Sequence, residues 1–415
     1  MNAKSEQLTK NGTLEFALDA RLSSRETLFI LKKIFGEELY IEKICGKKVF
    51  VSKNGEKKTI LLISQISYLG NPHPLYKKRV QLKNWFMDIL DYTYDDFTYD
   101  VKLIGIYRYK DNVLFVDFDK EKYMTKKMHN SSAHVYVNDL FKGLETGTFS
   151  KRDKNNNLIT VIRPDFFKSY IFNGTHALDE YNQLLELIDS FNKNHFVFNK
   201  WIEVNYAVQE MKDNNFSKWK ECEWAGFFLE FKFSYYTIIK KIEEYVKYMN
   251  NTKKDLNLDF DLKFEKANFY GDLKSSSIKE LSTMLNDAEN ILYEIEQYGK
   301  LWYLIYEHDT IKDKDLKDFP YTKKRLQVIR RYEPNYKKGE DLSYSTRLKA
   351  KVNYKKMYIV EINKINYGSL LEQMTSNFHQ PNHGATRKPK FKITKQNIQN
   401  AIIYSYNPEN NLRLD

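Results

Sequence analysis

Between residues 224 and 307 the hydrophobic pattern changes period several times, and few architectures accept that order. WAGFFLEFKFSYYTIIKKIEEYVKYM carries Trp224, Phe227, Phe231, Ile238, Ile242 and Tyr245 at helical spacing. LDFDLKFEKANFYGDLKS then alternates with period two on both sides of Glu265, Lys266, Ala267 and Asn268, which predicts a hairpin. SSIKELSTMLNDAENILYEIEQYG returns to helical spacing with Ser277 as its cap, and KLWYLIYEH reads as a buried strand. Helix, strand, strand, helix, strand in that order predicts an α/β core, a mixed sheet flanked by helices.

The chain before this core reads differently. Residues 1–165 are expected to form an additional N-terminal α+β domain. SSRETLFILKKIFG opens with serine caps and continues as an apolar helical stripe. KKVFVSKNGEKKTILLIS reads as two strands around Asn54-Gly55, and VKLIGIYRYKDNVLFVDFD repeats the pattern with its turn at Lys110, Asp111 and Asn112. RVQLKNWFMDIL between them is helix-like. Residues 166–415 then comprise a helical connector, the core, the strand KKMYIVEIN, the basic loop HGATRKPKFKI, and a last short helix and strand.

Composition narrows the partners. Lys and Arg number 67 against 55 Asp and Glu, a net charge of +12. A basic globular chain favours polyanions through counterion release. The heavy use of Asn, Lys and Tyr matches AT-rich coding, which discounts the raw lysine count. The 2 cysteines, Cys45 and Cys222, fall outside any metal-type spacing and suit a reducing cytoplasm. The N-terminus lacks an apolar leader pattern, and no apolar run reaches membrane-spanning length, so no membrane partner is expected. Phosphate-loop, dinucleotide-binding, nucleophile-elbow and zinc-finger spacings are missing.

Chemistry concentrates on the hairpin. Asp272 and Lys274 stand two apart on a strand and share a face. With the turn centred between Lys266 and Ala267, Asp261 falls opposite Asp272 and Asp259 opposite Lys274. Opposed residues have Cβ atoms about 5 Å apart, and two carboxylates at that range repel. A divalent cation between them inverts the local electrostatics, and a few oxygen ligands suit Mg²⁺. A lysine beside them can orient the attacking water or neutralise charge on a phosphoryl transition state. Asp259 and Asp261 compete for the ligand role, with opposition favouring Asp261. The competing reading is a solvated hairpin end with ordinary surface charges.

These residues resemble the PD-(D/E)xK nuclease superfamily, above all type II restriction endonucleases. Asp261 or Asp259 matches the first acid, Asp272 and Lys274 match D-x-K, and Glu230 in WAGFFLEFKF matches an acid often supplied by the preceding helix. The literal Pro-Asp is missing, since Phe260 precedes Asp261 and Leu258 precedes Asp259. Pro164-Asp165 reads as an ordinary helix start. The resemblance covers about residues 224–307. It implies a restriction-endonuclease-like core and Mg²⁺-dependent, sequence-specific cleavage of double-stranded DNA by a homodimer in a restriction–modification system. Asp261, Asp272, Lys274 and Glu230 would be catalytic, with Asp261, Asp272 and Asp259 holding metal. Another repair or transposition nuclease, and a non-catalytic nucleic-acid-binding protein, are the alternatives.

Three segments are candidates for touching DNA. LGNPHPLYKKRVQLKNW offers Lys77, Lys78 and Arg79; MTKKMHNSSAHVYVND offers His129, Asn130, Ser131 and His134; NHGATRKPKFKI offers Arg387, Lys388 and Lys390. His129 and His134 lack the further ligands a zinc site needs. A solvated turn or loop is the competing reading for each segment.

Overall fold

The computed structural model describes residues 3–55, 57–93, 99–120, 122, 132–153, 157–173, 180–249, 260–316, 321–338, 348–374 and 388–411. The chain divides into two compact units, Met1–Asp179 and Glu180–Asp415. Both are mixed α/β.

In the first unit β1 (Ser5–Leu8) and β2 (Leu14–Ala17) form a separate hairpin. The main sheet runs β10 (Thr148–Arg152), β11 (Leu158–Ile162), β8 (Asn112–Phe118), β7 (Tyr99–Tyr109), β5 (Lys57–Tyr68), β4 (Lys47–Asn54), β3 (Leu39–Ile44). β6 (Lys77–Gln81) branches from β5 and carries β9 (Ser132–Tyr136) on its other edge. β5 and β7 are parallel; the other neighbours are antiparallel.

The expected hairpins are present. Gly55 takes φ +61° after Asn54, and Lys110 takes φ +52° between Tyr109 and its partner Asn112. Helix Ser24–Phe35 starts in a capping box: Ser23 Oγ accepts from the Glu26 amide, and Glu26 Oε2 accepts from the Ser23 amide at 2.8 Å. RVQLKNWFMDIL is split, because Lys77–Gln81 is captured as a strand by β5 and β9 and the helix starts only at Trp85. Helix Pro164–Asn173 belongs to the first unit, past the boundary expected at 165. Phe167 stacks on Phe115 at 3.8 Å, and Tyr170 and Ile171 enter the same core. Asp165 is held by Arg163 at 2.7 Å at the start of that helix.

The second unit is built on the sheet β12 (Ile202–Glu203), β18 (Lys349–Asn363), β17 (Lys300–Lys312), β15 (Phe269–Ser277), β14 (Leu262–Phe264), β13 (Lys247–Tyr248), with β21 (Ile402–Tyr406) also on β18. β15 and β17 are parallel, and helix Ala288–Tyr298 lies in the crossover between them. Residues 301–306 of β17 are fully buried. A second small sheet has the order β16 (Ser282–Asp287), β20 (Lys390–Thr394), β19 (Leu371–Gln373).

Two helix expectations are corrected. STMLND is strand β16, because its backbone pairs with β20 from the far end of the chain. The long helix stops at Lys240, where Lys241 turns left-handed at φ +54°. Its buried face is Trp224, Phe228, Phe231, Phe233 and Tyr236, while Ile238 is exposed.

Candidate active site

The hairpin register has the expected phase. Leu262 pairs with Gly271 and Phe264 with Phe269, so the next position brings Asp261 level with Asp272. Asn268 closes the turn at φ +51°. Gly271 precedes the acid for a packing reason. A Cβ there would lie 2.6 Å from the Phe264 ring and 3.1 Å from the Trp302 carbonyl oxygen. The strand therefore sits close enough to its neighbours to seal Asp272, which is 1% exposed.

Each acid accepts from a backbone amide on the other side of the hairpin. The Asp261 amide donates to Asp272 Oδ1 at 3.1 Å, and the Leu273 amide donates to Asp261 Oδ2 at 3.2 Å. Lys274 forms a close ion pair with Asp272 Oδ2, its ammonium lying 5.9 Å from the Tyr303 ring centre. Burial, then the charges of Asp272 and Glu230, push the Asp261 carboxyl well above the usual range; Lys274 only partly offsets them.

Glu230 is buried beside this pair. Its Oε2 accepts from Tyr248 Oη at 2.6 Å and pairs with Lys218 Nζ at 3.0 Å. Tyr248 reaches it because β13 pairs with β14, placing Tyr248 opposite Leu262. Burial and the neighbouring Glu230, Asp261 and Asp272 charges hold the Tyr248 phenol in its protonated form. Tyr248 and Lys218 were not legible in the sequence. Tyr248 sits in a stretch that reads as helix, and Lys218 lies in a turn with no pattern of its own.

A divalent cation fits this arrangement. Asp261 faces the like charges of Asp272 and Glu230, while Lys274 is ion-paired with Asp272 Oδ2. A positive ion would relieve the repulsion at Asp261. Among the described residues no three His, Cys, Asp or Glu side chains converge as a ready-made cage. Asp261 and Asp272 are the carboxylates that could hold such an ion, since Mg²⁺ is commonly bound by only one or two. Asp259 lies outside the described residues.

The basic candidates are scattered. Lys78 is fully buried, 3.0 Å from Asp19 and 2.7 Å from Ser5 Oγ. It anchors the β1–β2 region and offers no charge to a phosphate. Lys77, Arg79 and His134 share the other, partly exposed face of the β6–β9 ribbon. Lys388 pairs with Glu289 at 3.1 Å and Lys390 with Asp287 at 3.3 Å, so each is locally neutralised. His129, Asn130, Ser131 and Arg387 lie outside the described residues. No helix among the described residues is long and apolar enough to cross a membrane.

The chain matches no curated protein and no solved structure. Residues 57–171, from β5 through most of helix Pro164–Asn173, match the family MTaX1, described as Methylase-associated X1.

Proposed function

We propose that the chain is a Mg²⁺-dependent endonuclease acting on double-stranded DNA within a restriction–modification system. The observation that carries this reading is the convergence of Asp261, Asp272, Lys274 and Glu230 at the start of the β14–β15 hairpin. The methylase-associated match supports the restriction–modification context from the other half of the chain.

In this reading Asp261 and Asp272 hold the cation, which when bound supplies Lewis-acid stabilisation of charge on the scissile phosphate. Lys274 orients the attacking water and faces the phosphoryl charge. Glu230, fixed by Tyr248 and Lys218, sets the position of Asp261 through their mutual repulsion. A palindromic target would favour a two-fold homodimer with one site per strand. One observation favours a second, non-catalytic reading: the ion pair to Lys274 already compensates Asp272, as in an ordinary structural cluster.

Plasmid incubated with Mg²⁺, against an EDTA control, separates the readings. Discrete fragments are expected, and Lys274→Ala should lower the cleavage rate about 10²- to 10⁴-fold while duplex binding persists. Unpatterned nicking would indicate a repair or transposition nuclease. A gel shift with no cutting at any divalent concentration rejects the enzyme.

A further inference from the structure

Three polar side chains form a row across adjacent strands of the first unit. Ser67 of β5 pairs with Arg79 of β6, and Arg79 pairs with His134 of β9. Directly paired residues project to one face with Cβ atoms about 5 Å apart. A hydroxyl, a guanidinium and an imidazole therefore line up over about 10 Å, two strand spacings. All three are partly exposed. The alternate residues Ile66, Val80, Ala133 and Val135 are buried, so the core fixes the backbone beneath the row.

The row is electrostatically one-sided. Neither the Arg79 nor the His134 side chain makes a hydrogen bond or ion pair among the described residues. Burial, and then the charges of Lys77, Lys122, His73 and Arg79, push the His134 imidazole down to about 4. Lys122 is itself paired with Asp153 at 3.7 Å. Crowded cations of this kind are relieved by an anion. A phosphodiester carries one negative charge and two free oxygens, which suit a guanidinium fork flanked by two single donors.

We propose that Ser67, Arg79 and His134 form a cradle for one backbone phosphate of duplex DNA. This rests on the DNA-binding reading above and narrows it to one contact, leaving out the buried Lys78. All three residues fall in the segment matching the methylase-associated family. Phosphate contacts fix register without reading bases, so the cradle acts alike on any sequence.

The test uses the full chain in EDTA, which blocks cleavage, and fluorescence anisotropy with two duplexes of unrelated sequence over a salt series. Arg79→Ala should weaken binding about tenfold on both duplexes and reduce the salt slope by about 1. Ser67→Ala reports the same contact, more weakly, should Arg79→Ala fail to fold. A bound phosphate favours the charged imidazole, so affinity should rise from about pH 7 to about pH 5, and His134→Gln should abolish that rise. Unchanged affinity and slope in Arg79→Ala, with wild type binding, would place the contact elsewhere and overturn the cradle alone. A loss on only one duplex would mean base readout and also overturn it. Wild type binding neither duplex would reject the DNA-binding reading itself.

Discussion

Glu307 and Asp272 are buried acids of one sheet, with Asp261 half-buried where its hairpin begins, yet their surroundings differ. Glu307, on β17, accepts from Lys395 at 2.7 Å and Tyr358 at 3.0 Å on one oxygen and faces Lys356 at 2.9 Å on the other. Burial would raise its carboxyl, but the hydrogen bonds from Lys395 and Lys356 outweigh it and hold the carboxyl below the usual range. Lys395 also donates to the carbonyls of Ser277 and Ile278, stapling the end of β15. Asp261 instead faces carboxylates, and its carboxyl is raised. A compensated buried acid holds the fold together. An uncompensated one stores repulsion that a bound cation releases.

The comparison breaks most visibly at Glu307. Glu307→Ala removes the shared partner of Lys356, Lys395 and Tyr358 and should cost about 2–4 kcal/mol in urea unfolding. A loss below about 0.5 kcal/mol, the size of an ordinary surface substitution, would show that the cluster is not structural.

Opposite pH slopes sharpen the contrast. A folded carboxyl raised above its free value of 3.8 opposes folding progressively as pH climbs past that value. Asp261→Asn should therefore gain stability over wild type as pH rises from 3.8, and Mg²⁺ should stabilise wild type more at higher pH while leaving the variant nearly unaffected. Glu307 has a lowered carboxyl, so its contribution is present above 4.5 and fades as pH falls through its folded value. Thermal melts across pH, with and without Mg²⁺, measure both slopes.

The smallest effect tests a buried acid away from the pair. Glu294 is 2% exposed, and burial, only partly opposed by Lys263, raises its carboxyl to about 7. Its Oε2 has no hydrogen-bond partner. Glu294→Gln should raise the urea midpoint at pH 8 and change little at pH 4.5, without altering the response to Mg²⁺. A lost Mg²⁺ response would draw Glu294 into the metal site.

Much of the site was readable because strand alternation and turn position are local. The turn at 265–268 sets the pairing sum, and Asp261 follows opposite Asp272. Glu230 was marked only by the family resemblance, as an acid on the preceding helix. Its partners were invisible: Tyr248 arrives on a two-residue strand that exists only by pairing with β14, and Lys218 comes from a turn. β16 was read as helix since its apolar spacing suits either state, and β20 alone decides. Lys78 read as a surface cation because its run is basic, whereas strand alternation on β6 turned it inward toward Asp19.

Local order along the chain was enough for the hairpin, its phase, the acids and lysine that share its face, and the basic balance of the chain. Each follows from residue type and from a backbone period that needs no distant contact. Which charges are compensated was settled by long-range packing. Desolvation and ion pairing depend on segments far apart in the chain. Those segments supplied Lys395 and Tyr358 to Glu307, and set Asp261 against Asp272 and Glu230.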